Sequence, residues 1–155
     1  MIRILSQTLF NQIWMNTSTP VRFQNFRLYA QFRCSIVAIQ EVPANETNKY
    51  GVIAGEAIKD GLYHITDMVE KPKPEEAPSN LAIIGRYILT PDIFDILRIT
   101  KPGIGGEIQI TDALLTQAKL GKVIAYKFKG KRFDCGNVKG YVKATNYFAK
   151  KHGIT

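Results

Sequence analysis

Residues 35–42 constrain the fold more than any other stretch of this 155-residue chain. Ser35-Ile36-Val37-Ala38-Ile39-Gln40-Glu41-Val42 is a continuous β-branched and apolar run, stopped by Pro43. A strand with one solvated face alternates apolar and polar residues, whereas a strand covered on both faces does not. The run therefore predicts a strand buried on both faces, which belongs to a sheet covered by further layers.

The rest of the pattern agrees with an α/β chain. Pro43 to Lys49 reads as a polar loop. Tyr50 to Ala54 reads as a short strand, Gly55 as a turn and Glu56 to Lys59 as a second short strand. Asp60-Gly61 is a tight hairpin signal, and Leu62 to Glu70 is the next strand. Lys71 to Ser79 carries three prolines and reads as an exposed loop. Asn80 to Leu89 is another buried-type strand. Thr90-Pro91-Asp92 then opens a helix whose stripe is Ile93, Phe94, Ile96 and Leu97. After the loop Pro102-Gly103-Ile104-Gly105-Gly106, Thr111 is expected to cap a helix running to about Lys119, with Gly121 beyond its end. Val123 to Phe128 reads as a strand of alternating pattern. Asn137 caps a final helix with Val138, Tyr141, Val142, Thr145, Phe148 and Ala149 at helical spacing, and Gly153 stops it. The expected class is α/β, a mixed sheet flanked by helices with an antiparallel hairpin patch at 50–70.

Composition narrows the function classes. No apolar run approaches the ~20 residues of a membrane span. Two cysteines, Cys34 and Cys135, make neither a disulfide framework nor a metal spacing, so a reducing, cytoplasmic setting is expected. The net charge of +8 is uneven, since residues 1–40 hold four Arg and no acid. A basic chain suits nucleotides and sugar phosphates as well as nucleic acid, and no helix-turn-helix, zinc-finger or aromatic RNA-binding pattern is present. Residues 1–27 are rich in Asn, Gln, Thr and Ser and show no sustained period, so they read as a poorly ordered leader, with 28–155 as the folded part.

Five motifs carry more specific information. They are Lys49-Tyr50-Gly51-Val52-Ile53, Val69-Glu70-Lys71-Pro72, Ile84-Gly85-Arg86-Tyr87, Gly106-Glu107-Ile108-Gln109-Ile110-Thr111-Asp112 and Asp134-Cys135-Gly136-Asn137. In order and spacing the region from about Leu28 onward resembles the C-terminal half of the bacterial UTP–glucose-1-phosphate uridylyltransferases, also called UDP-glucose pyrophosphorylases. Cys135 after Asp134 favours this family over the related thymidylyltransferases, whose pattern there is usually Asp-Thr-Gly. The resemblance implies part of a Rossmann-like nucleotidyltransferase fold. It implies a reaction in which glucose 1-phosphate attacks the α-phosphorus of UTP, giving UDP-glucose and pyrophosphate with Mg²⁺. The family's N-terminal Gly-rich G-x-G-T-R loop, its lysine and its first metal carboxylate do not occur in residues 1–33. A truncated or frameshifted reading frame would produce such a chain, and the expectation is weak or no activity alone.

The resemblance also assigns roles. Lys71 is the expected catalytic residue, a positive charge against the sugar phosphate. Glu70 would accept hydrogen bonds from sugar hydroxyls. Gly51 and Gly85 would let backbone approach the sugar, and Glu107 and Gln109, with Thr111 and Asp112, would lie near the sugar pocket. Asp134 would be one Mg²⁺ carboxylate. Each has a plain structural alternative: a surface Glu-Lys pair, hairpin or bulge glycines, a capped helix start and a turn Asp. His64 reads as a solvent-face residue and Cys135 as a small buried filler. The expected partners are UTP, glucose 1-phosphate and UDP-glucose, with no membrane. Self-association is also expected, because half a sheet leaves an unpaired apolar edge. The competing function is a non-catalytic sugar-nucleotide or protein-binding module.

Overall fold

The computed structural model describes residues 21–59 and 61–154. In chain order the elements are α1 (Val21–Phe32), β1 (Ser35–Glu41), β2 (Gly51–Lys59), β3 (Leu62–Glu70), β4 (Leu81–Ile88), α2 (Ile93–Ile99), α3 (Ile110–Lys119), β5 (Val123–Lys127) and α4 (Val138–Lys151). Short 3₁₀ turns cover Ala44–Lys49, Pro74–Glu76 and Ile104–Gly106. The chain divides into two units, one holding residues 21–129 and the other 130–154 among the described residues. The leader expected over residues 1–20 and the Asp60 position of the hairpin signal lie outside the described residues. Residues 21–27, expected to lack regular structure, are helical as the start of α1.

Five strands form the larger unit. β1 pairs antiparallel with β4 and parallel with β5. β2 pairs antiparallel with β3 and β4, and β3 pairs antiparallel with β5, so the order β1-β4-β2-β3-β5 closes on itself as a barrel. The mixed sheet is as expected, but the unpaired edge is not there: each of these five strands has two neighbours. The cause is the long hairpin. β2 and β3 are nine residues each, and a register shift lies between Ala54 and Gly55. A bulge bends a hairpin and increases its twist. The start of β2 thus pairs with β4 while the start of β3 reaches β5. Gly55, expected to be a turn, is this bulge residue inside one continuous strand. A Cβ there would lie 2.6 Å from the carbonyl oxygen of His64.

The β1 run is explained by two layers. Val37 and Ile39 join a cluster with Ile53, Met68, Ile93, Ala113 and Leu114, so this face lies under α2 and α3. Ile36 joins Cys34, Leu62 and Ile124, against which Leu28, Tyr29 and Phe32 of α1 pack. The first five residues of β1 are buried. β5, expected to alternate, instead has its first three residues buried in succession, because it too is covered on both faces. In α2, Ile93 is buried while Phe94 is 59% exposed. Ile93, Ile96 and Leu97 occupy one helical face at i, i+3 and i+4, and Phe94 falls off it.

Thr90 does not cap α2, which begins three residues later. Its hydroxyl lies 3.1 Å from Ser35 Oγ and accepts from Gln117 Nε2 at 2.9 Å. Gln117 Nε2 also donates to Asp92 Oδ1 at 3.1 Å. This clasp ties the start of β1 to the end of β4 and to α3. Hydrogen bonding from Thr90, then from Gln117 and Lys122, holds the Asp92 carboxyl below the usual carboxylate range.

In the smaller unit Asn137 caps α4 as expected, accepting from the Gly140 backbone N–H at 2.8 Å. The Phe133 ring lies 5.1 Å from Tyr147 and 6.0 Å from Phe148, centroid to centroid. The helical period is present, but much of its apolar stripe is open: Val138 is 81% and Tyr141 56% exposed, whereas Ala144 is buried. Cys135 is half-buried rather than a buried filler, while Cys34 is buried and its thiol is pushed up by that burial.

Gly55→Ala is expected to cost about 1–3 kcal/mol by overpacking against the His64 carbonyl, read as a lower midpoint in urea denaturation. A change within about 0.5 kcal/mol, the range of a neutral surface substitution, would contradict the close approach.

Candidate functional site

The site assembles where one hairpin end meets one helix start. Gly51 opens β2 and Glu70 closes β3, and the two are direct register partners. Thr111 is in the first turn of α3. Its hydroxyl donates to Glu70 Oε2 at 2.6 Å. The carboxylate has no proton to give, so the direction of this bond is fixed. Thr111 is 3% exposed and the Glu70 side chain 17% exposed, which does not fit a solvated surface Glu-Lys pair. Gly51 borders both: a Cβ there would lie 3.0 Å from Glu70 Oε2, 3.1 Å from Ile83 Cδ1 and 3.2 Å from Thr111 Oγ1.

Lys71 follows directly. Its Nζ lies 3.9 Å from Glu70 Oε1, the other carboxylate oxygen, and its side chain is 57% exposed. Its backbone is left-handed, with φ of 46°. That conformation is sparsely populated outside glycine and disfavoured before a proline such as Pro72. It costs about 1–3 kcal/mol, and the Lys71 N–H holds it by donating to the Tyr50 carbonyl at 2.9 Å. Strain of this kind clusters at functional sites.

Tyr87 on β4 also feels this carboxylate. Burial pushes its phenol far above the usual value, and the negative charge of Glu70 adds to this while Arg86 opposes it. Gly85, two residues earlier, is left-handed with φ of 68°, a conformation glycine adopts without penalty. Glu107 and Gln109 wrap the turn at Gly103. The Gly103 N–H donates to the Glu107 carbonyl at 2.8 Å, and a Cβ at Gly103 would lie 3.4 Å from Gln109 Cγ. His64 is exposed, as expected.

Asp134 belongs to the smaller unit. Its Oδ1 accepts from the Gly136 N–H at 2.9 Å, which is an Asx turn. Gly140 closes over this turn so tightly that a Cβ would lie 1.6 Å from the Asp134 carbonyl oxygen. Among the described residues no cluster of three or more His, Cys, Asp or Glu side chains could hold a metal. A single carboxylate still fits Mg²⁺ of the kind that draws its remaining ligands from phosphates and water.

Thr111 was expected with Glu107, Gln109 and Asp112 in a motif near the sugar pocket, or else as a helix cap. The cap position is Gln109, and the Thr111 hydroxyl is aimed across the fold at Glu70. No local signal names Glu70 as its partner, because the two are distant in sequence.

This arrangement is a half-buried carboxylate and an exposed ammonium on a strained strand end, bordered by glycine. It occurs here in a chain that belongs to the nucleotidyl transferase family, whose profile matches residues 19–151. Within that family the chain is similar to enzymes called UTP–glucose-1-phosphate uridylyltransferase. It is 73% identical over 124 residues to one from Pseudomonas aeruginosa, covering 80% of this chain and 44% of the relative. It is 49% identical over 137 residues to one from Streptococcus pneumoniae, covering 87% and 46%. A solved UDP-glucose pyrophosphorylase complexed with UDP-glucose superposes with a TM-score of 0.86 at 59% identity, over 91% of this chain and 54% of that one. The chain thus spans about half the length of the relatives it matches, or less.

Gly51→Ala is expected to displace the Glu70 carboxylate or the Thr111 hydroxyl, because neither 3.0 Å nor 3.2 Å suits a real Cβ contact. The readout is the Glu70 and Thr111 side-chain positions in a crystal structure of the variant. Positions unchanged from the parent would contradict the described packing.

Proposed function

We propose that the chain is the C-terminal, sugar-phosphate-binding part of a UTP–glucose-1-phosphate uridylyltransferase, forming UDP-glucose and pyrophosphate. The observation that carries the reading is the Glu70–Lys71 pair. A carboxylate held by Thr111 stands beside an ammonium whose backbone is strained, with φ of 46°. A surface ion pair requires neither feature.

The reaction is an in-line displacement at phosphorus, in which the protein's work is positioning and charge neutralisation. Glu70 accepts a hydrogen bond from a sugar hydroxyl and orients the ring. Lys71 lies against the phosphate of glucose 1-phosphate and offsets charge that builds during attack. Gly51 leaves backbone, rather than a side chain, beside the sugar, and Gly85 does the same from β4. Glu107 and Gln109 border the pocket from the Gly103 loop. Asp134 would hold Mg²⁺, which when bound neutralises phosphate charge. No side chain need donate or accept a proton covalently, and exposed His64 has no part.

The 155 residues contain no G-x-G-T-R loop to hold a triphosphate. We therefore expect sugar-nucleotide binding by this chain, with turnover weak or absent unless the nucleotide-holding groups come from elsewhere. Among the described residues no helix is long and apolar enough to cross a membrane, and a cytoplasmic reaction suits the substrates. Self-association remains part of the proposal, without the open sheet edge as its cause.

Two assays test the reading. UDP-glucose should bind the purified chain in calorimetry, and Lys71→Ala should weaken that binding at least tenfold. With UTP, glucose 1-phosphate and Mg²⁺, any pyrophosphate release should fall on the order of a hundredfold in the same variant, as for loss of a strong electrostatic group. Binding untouched by Lys71→Ala would overturn the role of Lys71. UDP-glucose binding with no turnover even when the G-x-G-T-R-bearing half of a relative is added would favour the non-catalytic binding module.

A further inference from the structure

We propose that Thr111 is a positioning residue for sugar recognition: its hydroxyl pins Glu70 Oε2 and leaves Oε1 as the acceptor for a glucosyl hydroxyl. The inference rests on reading the site as sugar-binding. The two carboxylate oxygens have different surroundings. Oε2 receives the Thr111 hydroxyl at 2.6 Å. Oε1 lies 3.9 Å from Lys71 Nζ, on the side of the exposed ammonium. The oxygen left for a ligand is therefore the one beside the charge that would meet a phosphate.

A glutamate at a strand end would otherwise sample several rotamers, and ordering it on binding would cost free energy. Hydrogen bonds to ionised acceptors are short and strong. Thr111 is 3% exposed, so little water competes for its hydroxyl. Gly51 completes the clamp, since the nearest backbone on that side would leave a Cβ only 3.2 Å from Thr111 Oγ1. Orienting the carboxylate before the ligand arrives lowers the cost of binding. Because Thr111 is in the first turn of α3, just after the Gly103–Glu107 turn, that turn's position also sets the carboxylate.

The test is calorimetric titration of the chain with UDP-glucose, with the melting temperature of each variant recorded. Thr111→Val keeps shape and removes the donor. It should weaken binding at least tenfold, about 1.4 kcal/mol. Thr111→Ser keeps the donor and should bind within about threefold of the parent, the small change expected when the key interaction is retained. In a Glu70→Ala background, Thr111→Val should have no further effect, since a residue acting only through Glu70 is fully coupled to it. A merely structural threonine would give the same loss in both backgrounds. Should Thr111→Val melt below the titration temperature, Thr111→Ala removes the same hydroxyl and is judged by the same thresholds. Parent-like binding by Thr111→Val, or equal losses in Thr111→Ser and Thr111→Val, overturns the proposal and leaves the sugar-binding reading standing. A parent chain that binds no UDP-glucose overturns the reading itself, and the proposal with it.

Discussion

Burial of β1 on both faces is the constraint from which the rest of the larger unit follows. A strand at the centre of two layers needs hydrogen-bonding partners on both sides, because unpaired buried backbone groups are costly. β4 and β5 supply them, one antiparallel and one parallel. The parallel pairing requires a long connection back to the same end of the sheet, and α2 and α3 lie within it. Those helices cover one face, with Ile93 and Leu114 fully buried, while α1 covers the other. The Ser35–Thr90–Gln117 contacts fasten this arrangement at one end.

The site is a consequence of that frame. Because α3 must lie on the β1 layer, its first turn falls beside the end of β3. The hairpin register then sets Gly51 against Glu70. Three segments distant in sequence meet at one carboxylate, and each contributes a different property. β2 contributes the absence of a side chain, β3 the acceptor with the Lys71 ammonium just beyond its end, and α3 the donor. The same geometry makes a plain ion pair a poor description of Glu70 and Lys71. Exposed pairs contribute little to stability, and this one includes a backbone conformation that opposes folding.

Legibility in the sequence followed the range of the interactions. The β1 run, the Asn137 cap and the class of fold were readable because burial on two faces and helix capping leave local patterns. The ordered motifs at Gly51, Glu70 and Lys71 name residues that the fold brings together at one hairpin end. Closure of the sheet was not readable, since it depends on how far a bulged hairpin bends, and a lone Gly55 suits a turn as well as a bulge. Thr111 was only partly legible for a related reason. Its motif grouped it with Glu107 and Gln109, and its first-turn position suggested a cap, but only the folded register shows that Glu70, 41 positions away, takes its hydroxyl. The apolar period of α4 was correctly seen, but periodicity states that a face is apolar and not whether it is covered.

The central claim is that a glucosyl phosphate docks on the Glu70–Lys71 end of the hairpin. Backbone amide chemical shifts recorded while the isotope-labelled chain is titrated with glucose 1-phosphate test it directly. The account predicts saturable perturbations centred on Gly51, Glu70, Lys71 and Gly85. Perturbations centred elsewhere, for instance on the cavity of about 370 Å³ lined by Ile96, Ile99, Lys101 and Asp112, or none at saturating concentration, would contradict it.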